Sequence, residues 1–164
     1  MGGARHTHAS ALPGDDWTLG IEVVRWGMRQ GRPTCMVISP DETFHGKQDL
    51  DYFAGVSAET TGSAGLCMHL VTIPPRGLAK PHYHAHHETV IYVLAGEAGM
   101  WYGEGLREHL TVRAGQFLYI PANVPHLPYN PSETQPVTGV LARTDPNEQE
   151  SVVPYDVPDP GIPR

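Results

Sequence analysis

Cysteine is nearly absent: Cys35 and Cys67 are the only two in 164 residues. A single pair of thiols cannot carry a disulfide framework. Both sit among apolar neighbours and are expected to behave as buried small hydrophobes. Long apolar runs are also missing. The strongest, around Val90–Ala95, is far short of the roughly 20 residues a membrane-spanning helix needs. The first twenty residues hold Arg, His and Asp but no apolar signal-peptide core, so a soluble, cytoplasmic protein is expected. Positive charge is scarce, with 11 Lys+Arg against 18 Asp+Glu and a net charge of −7. No basic patch is evident, which disfavours nucleic acid and anionic membranes as partners. A small-molecule substrate or ligand is the expected partner.

What the chain does have is glycine (18), proline (16) and enough apolar residues (40%) to build a core. Glycine and proline both damage helix interiors, so the composition argues against a helical bundle and for a turn-rich fold. From Gly65 onward the pattern is β. Leu66–Ile73 reads as a strand closed by Pro74, Pro75 and Gly77. Thr89–Leu94 (TVIYVL), Ala98–Tyr102, Glu108–Val112, Gln116–Ile120 and Val137–Ala142 follow at short intervals, punctuated by Gly and Pro. Such spacing predicts an all-β sandwich or barrel. Before it, Leu19–Met28 reads as a short strand or helical turn, and Thr34–Ser39 (TCMVIS) as a strand between Pro33 and Pro40. Residues 41–46 read as a turn, and Asp51–Val56 carries two aromatics. The expected organisation is a loose tail over 1–17, extension strands over 18–64 that cover an edge of the main sheet, a barrel over 65–145 and a Pro-rich tail over 146–164. His6 and His8 belong to the first tail and are expected to be solvated.

Ten residues are histidine, and four of them fall between positions 82 and 87. The segment is His82-Tyr-His84-Ala-His86-His87-Glu88. On an extended chain, residues i and i+2 point to one side, so His82 and His84 can aim two imidazoles at one point. Glu88 keeps that parity after a short bend. Two His and one carboxylate on one face suit a divalent transition metal with open positions. A fourth ligand would come from elsewhere, with His126 the candidate. His86 falls in the bend, where a substrate role and plain exposure are both open; the same holds for His87. His69, in an apolar strand, is expected to be a structural core histidine.

These residues resemble the two motifs of the cupin superfamily. The first runs glycine, His-x-His, Glu, glycine, and is matched by Gly77, His82, His84, Glu88 and Gly96. The second is matched by Gly115, Pro121, Asn123, His126 and Asn130. Four residues rather than five separate Gly77 from His82, and seven rather than six separate Glu88 from Gly96. Asn123 stands where the family usually has Gly; Asn is the next most tolerant residue at positive φ, so the same turn is expected. The wording around the motifs is similar to RmlC-like cupins. The resemblance implies a jelly-roll, double-stranded β-helix barrel holding one divalent metal ion (Fe, Mn, Zn, Ni or Cu) on His82, His84, Glu88 and His126. It also implies a homodimer, in which extension strands and sheet edges would find cover.

With Glu88 inward, alternation would send Val90, Tyr92 and Leu94 to the same face. Tyr92 is then a candidate catalytic hydroxyl. Trp101 and Tyr119 are candidates for the pocket wall, as are Phe117 and Tyr102. Arg76 and Lys80 flank the approach to the first motif and are candidates for holding an anionic substrate, although surface solvation is the favoured role for each; His86 is a further candidate for the substrate pocket. Asn130 closes the second motif, either beside the pocket or as a turn cap. The expected function is metal-dependent chemistry on a small oxygenated metabolite, of dioxygenase, isomerase or lyase type. A non-catalytic binding or sensing module is one alternative, and a sugar-phosphate isomerase or epimerase is another.

Overall fold

The structure is a computed structural model, and it describes residues 28–29, 32–39, 41–147 and 151–157. The expectations placed on 1–27 and 158–164 lie outside those residues. Met28–Arg29 (β1) and Arg32–Pro33 (β2) pair as a small hairpin. Thr43–His45 (β3), Asp51–Val56 (β4) and Cys67–Ile73 (β5) follow, with a single capped helical turn, Ala58–Thr61 (α1), between β4 and β5. The rest of the described chain is His82–His84 (β6), Thr89–Ala95 (β7), Glu97–Tyr102 (β8), Glu108–Arg113 (β9), Phe117–Ile120 (β10), His126–Tyr129 (β11), Val137–Arg143 (β12) and Val152–Pro154 (β13).

Two antiparallel sheets result. One has the order β10-β7-β12-β5-β4-β3, the other β13-β6-β11-β8-β9. Their inner faces enclose the core, as in a jelly-roll sandwich. Alternation explains which residues face in. In β5 the side chains of Cys67, His69, Val71 and Ile73 are buried while Met68 is exposed. In β12, Val137, Gly139, Leu141 and Arg143 are buried in turn. Tyr52, Val93, Ala98 and Val112 complete the core from neighbouring strands, with Leu50 from the turn before β4.

Two tight turns show why their residue types are needed. Gly96, between β7 and β8, has φ of 81°, and a Cβ there would lie 2.6 Å from the Pro136 carbonyl oxygen. Asn123 has φ of 64°, the left-handed conformation expected for it, and its side-chain oxygen accepts from the His86 backbone N–H at 3.0 Å.

The early part of the chain departs from expectation. Residues 34–39 form no strand, and Val37 is 96% exposed. A β-branched run becomes a strand only where a neighbour accepts its hydrogen bonds, and none among the described residues does so. The turn expected over 41–46 contains β3 instead, which pairs with β4 at the edge of the six-stranded sheet. Cys35 is exposed and Cys67 buried, both as free thiols, so only Cys67 is the buried hydrophobe expected of the two. His69 is buried; its Nδ1 accepts from the Gly55 N–H at 3.0 Å. That N–H lies where the β4–β5 register shifts, and the imidazole replaces the missing ladder acceptor. Residues 152–154 add a strand beside β6. No helix among the described residues is long and apolar enough to cross a membrane.

Candidate metal centre

β6 is three residues long with buried, half-buried, buried side chains, so His82 and His84 both enter the interior while Tyr83 does not. His126 opens β11 rather than following a strand end, and pairs directly with His82. All three imidazoles are about 3% exposed. Their rings are 4.3 to 5.4 Å apart, centroid to centroid. One nitrogen from each can be chosen so that all three lie within 4.8 Å of one another.

Two of the rings have fixed tautomers. The Nδ1 of His82 lies 2.8 Å from the Lys80 carbonyl, and that of His126 lies 2.9 Å from the Val124 carbonyl. A carbonyl only accepts, so each Nδ1 carries the proton and each Nε2 keeps its lone pair for another partner. The Nδ1 of His84 is buried with no hydrogen-bond partner among the described residues. Three neutral nitrogens, two of them oriented by backbone carbonyls, fit the donor set of a divalent transition metal.

Electrostatics agrees with neutral rings. Burial lowers the pKa of His82 to about 4 and that of His126 to about 3. Burial likewise depresses His84, and the Arg143 charge adds to the effect at all three. Below the ordinary imidazole value of 6.5 the unfolded chain binds protons that the fold excludes. Stability of the metal-free protein should therefore be independent of these groups above about pH 6.5 and fall as pH drops toward 4. The loss is on the order of 3 kcal/mol for His82 alone. Thermal melts of chelator-treated protein between pH 8 and 4.5, in steps of about half a unit, check this. A melting temperature that stays level across that range would contradict it.

The histidines line a cavity of about 70 Å³ between the two sheets. A single water needs roughly 10–15 Å³ on the same measure, so the space suits a small metabolite. Its walls are mostly aliphatic, from residues such as Val71, Ile91, Leu118 and Leu141. Thr89, Tyr52 and Arg143 add polar groups. The Arg143 Nε donates to the Thr89 hydroxyl at 2.9 Å, and both side chains are buried.

Glu88 is not brought to this point. It is exposed, and its carboxylate accepts the Tyr119 hydroxyl at 2.6 Å on the outer side of the sheet. The parity of β7 is the physical reason. Thr89, Ile91 and Val93 face inward, so Glu88, Val90, Tyr92 and Leu94 face out. The bend at Ala85–His86 uses one residue more than the parity argument allowed, and Thr89 occupies the inward place expected for Glu88. The extra residue was visible as the seven, rather than six, between Glu88 and Gly96.

The same reversal moves Tyr92 out of the pocket; it packs against Phe117 at 4.7 Å on the outer face. Tyr119 goes with it. Trp101 packs against His109, ring centroids 4.6 Å apart and tilted by 55°, and does not line the cavity. Arg76 is exposed and ion-paired with Glu133, while Lys80 is exposed 3.6 Å from Asp49. Neither approaches the cavity, because both belong to turns outside the sheets. His86 is exposed at φ of 66° in the bend, and His87 sits near the Asp145 carboxylate. Asn130 is a turn cap: its amide donates to the carbonyls of Ile73, Pro74 and Gln135 and accepts from the Ser132 N–H. The residues missed from the sequence are Thr89, Arg143 and Tyr52. Arg143 was one residue beyond the expected end of its strand, on the inward parity of Val137, Gly139 and Leu141.

Residues 69–142 match the family model described as a cupin domain. This segment is a cupin. No curated protein sequence matches the chain. Among solved structures, the chain resembles the polyketide cyclase RemF from Streptomyces resistomycificus, at 20% identity over 77% of this chain and 89% of that one, with a TM-score of 0.61. It also resembles an uncharacterized double-stranded β-helix protein from Klebsiella pneumoniae, at 15% identity over 73% and 89% of the two chains, with a TM-score of 0.52. Lactobacillus farciminis oxalate decarboxylase is similar at 16% identity over 70% of this chain but only 33% of its own, with a TM-score of 0.57. At these identities the likeness establishes the fold.

Proposed function

We propose that this cupin is a metal-dependent enzyme acting on a small oxygenated metabolite. The observation that carries the reading is the convergence of His82, His84 and His126, as neutral buried rings, on one wall of an apolar cavity. They would hold one divalent ion of iron, manganese, zinc, nickel or copper, leaving positions open for a ligand. Such an ion, when bound, polarises a carbonyl or enolate oxygen and lowers the pKa of bound water, and a redox-active one also supports dioxygenation. The aliphatic walls exclude bulk water from that point. Tyr52, whose hydroxyl accepts from the buried Gln48 amide, lines the cavity and takes over from Tyr92 as the candidate proton carrier.

The test is reconstitution with each of the five metals, followed by oxygen consumption and product analysis over a panel of small hydroxy, keto and dicarboxylic acids. Turnover with at least one metal, lost on chelation, is the expected result. Saturable binding with no turnover under any metal would instead favour the non-catalytic binding module. No metal uptake in any preparation would overturn both. The sugar-phosphate alternative predicts a basic pocket; Arg76 and Lys80, the residues expected to supply it, are exposed beside Glu133 and Asp49, while Arg143 lines the cavity.

We further infer that a second copy of the chain covers the outer face of β7 and β10. Val90, Tyr92, Leu94, Phe117 and Tyr119 are all exposed there, Phe117 by 80%. The strands are neighbours, with Phe117 opposite Tyr92 and Tyr119 opposite Val90, and β10 is a sheet edge. A contiguous apolar patch on an edge needs cover, and a two-fold contact needs only one self-complementary patch. Phe117→Asp should convert a dimer to a monomer in light scattering at micromolar concentration. A wild-type monomer at that concentration would contradict the inference.

A further inference from the structure

The cavity is not uniform along its length. Its polar lining gathers at one end. On the six-stranded sheet, Arg143 and Thr89 stand opposite each other on one rung. On the five-stranded sheet, His126 stands opposite His82. The Arg143 charge acts on all three histidines, so these two rungs face each other across the cavity. Inward positions further along the same sheets are apolar. β12 passes from Arg143 to Leu141, Gly139 and Val137, and β7 from Thr89 to Ile91 and Val93. In the facing sheet, Met100 and Ala98 follow the histidine rung. Tyr52 is the one polar side chain among the described residues that line this longer part, and its hydroxyl is engaged by the buried Gln48 amide. A polar ligand group placed there would lose its water and gain no partner, a cost that an apolar group avoids.

Gly139 lies within the apolar stretch, directly between Val71 of β5 and Val93 of β7. Although the β12–β7 register shifts between Thr138 and Gly139, the φ of Gly139 stays outside the left-handed region, so the backbone does not require glycine. A glycine inside a strand forfeits packing and is found where another group approaches closely. A Cβ there would meet the Ile91 side chain at 3.1 Å and the Tyr92 carbonyl oxygen at 3.3 Å, so a methyl fits only if Ile91 yields slightly. Anything larger would take up cavity space.

We propose that the substrate is amphiphilic: its oxygen-bearing head lies at the histidine end, and an apolar carbon tail lies against Gly139, which sets the depth of the tail pocket. The proposal rests on the metal-dependent reading above and names what the part of the substrate away from the metal must be. A sugar or other polyol, polar along its whole length, does not meet that requirement. Gly139 becomes a specificity-determining residue, placed by the fold rather than by either histidine motif.

Calorimetric titration of cobalt-loaded protein with straight-chain hydroxamates, from acetohydroxamate to octanohydroxamate, tests it. Every member offers the metal the same head, and only the tail varies. Affinity should rise by about fourfold for each added methylene up to a limiting length, and then fall. Replacing the terminal methyl of the tightest binder by a hydroxyl should weaken binding by about tenfold or more. Gly139→Val should weaken that same alkyl hydroxamate by about tenfold or more while leaving acetohydroxamate within about twofold of wild type, because only the tail meets the new side chain. Gly139→Ala should show the same contrast to a smaller degree, and it carries the comparison should Gly139→Val not fold. Affinity that does not change with tail length would overturn the proposal, as would a hydroxyl-terminated tail bound as tightly as the alkyl one. Equal weakening of the short and long hydroxamates in the Gly139 variants would overturn the role of Gly139. If wild type takes up no cobalt, the metal-dependent reading fails. The tail pocket is then decided by n-hexanol calorimetry on metal-free protein: saturable binding that weakens in Gly139→Ala supports it, and no binding overturns it.

Discussion

Replacing His82 and His84 together by Ala should abolish metal uptake while leaving the barrel folded. Two of the three nitrogens that come within reach of one point are removed. Structural zinc sites derive about 10–16 kcal/mol from four ligands, so losing two of three should weaken binding at least about a thousandfold. The fold should survive because the apolar cluster built from Leu50, Tyr52, Val71, Ile73, Val93 and Leu141 does not depend on the rings. The truncation also removes two groups that resist protonation, so the variant should tolerate acid better than the metal-free wild type. Metal content by mass spectrometry and circular dichroism read the two halves. Glu88→Gln is the matched control. Its carboxylate faces outward, bonded to Tyr119, so the variant should retain the full wild-type metal content. A large loss of metal in Glu88→Gln would place the carboxylate at the ion and contradict the β7 register described here.

The second large effect is on stability. Asn130→Ala should lower it by about 3 kcal/mol, since each buried polar group left without a partner costs about 1–3 kcal/mol. The Asn130 side chain, 2% exposed, is the common partner of the Ile73, Pro74 and Gln135 carbonyls and of the Ser132 N–H. Its own backbone N–H donates to Gly77 at 2.8 Å. It therefore ties the turn after β5 to the turn after β11. At about 2–4 °C per kcal/mol for a chain of this size, the melting temperature should fall by about 6–12 °C. A fall of less than about 2 °C would mean that water replaces these bonds at little cost.

The inward aim of His82 and His84 was legible because alternation along a strand is local: it depends on the extended backbone alone. The position of Asn123 was legible for a similar reason, since a left-handed turn selects among residue types by sterics within one residue. For Asn130 the sequence left two roles open at the close of the second motif, and its hydrogen bonds decide for the turn cap. Glu88 was misplaced because parity cannot be carried across a bend. Whether a bend consumes an odd or even number of residues is decided by the strand that receives the chain, here β12, which pairs Arg143 with Thr89.

Sequence by itself determined that this is an all-β chain, with the two imidazoles of β6 on one side and a third histidine in the second motif. Local sterics and alternation suffice for that. Tertiary structure alone decided that His126 lies directly across from His82, that Thr89 rather than Glu88 turns inward, and that a buried arginine shares the cavity. It also decided that Tyr92, Phe117 and Tyr119 form an exposed face. Each of these depends on register between strands distant in the chain, which is set by the packing of whole sheets. The shortage of positive charge noted at the outset thereby acquires a location: one of the few arginines is spent inside the barrel, beside the histidines.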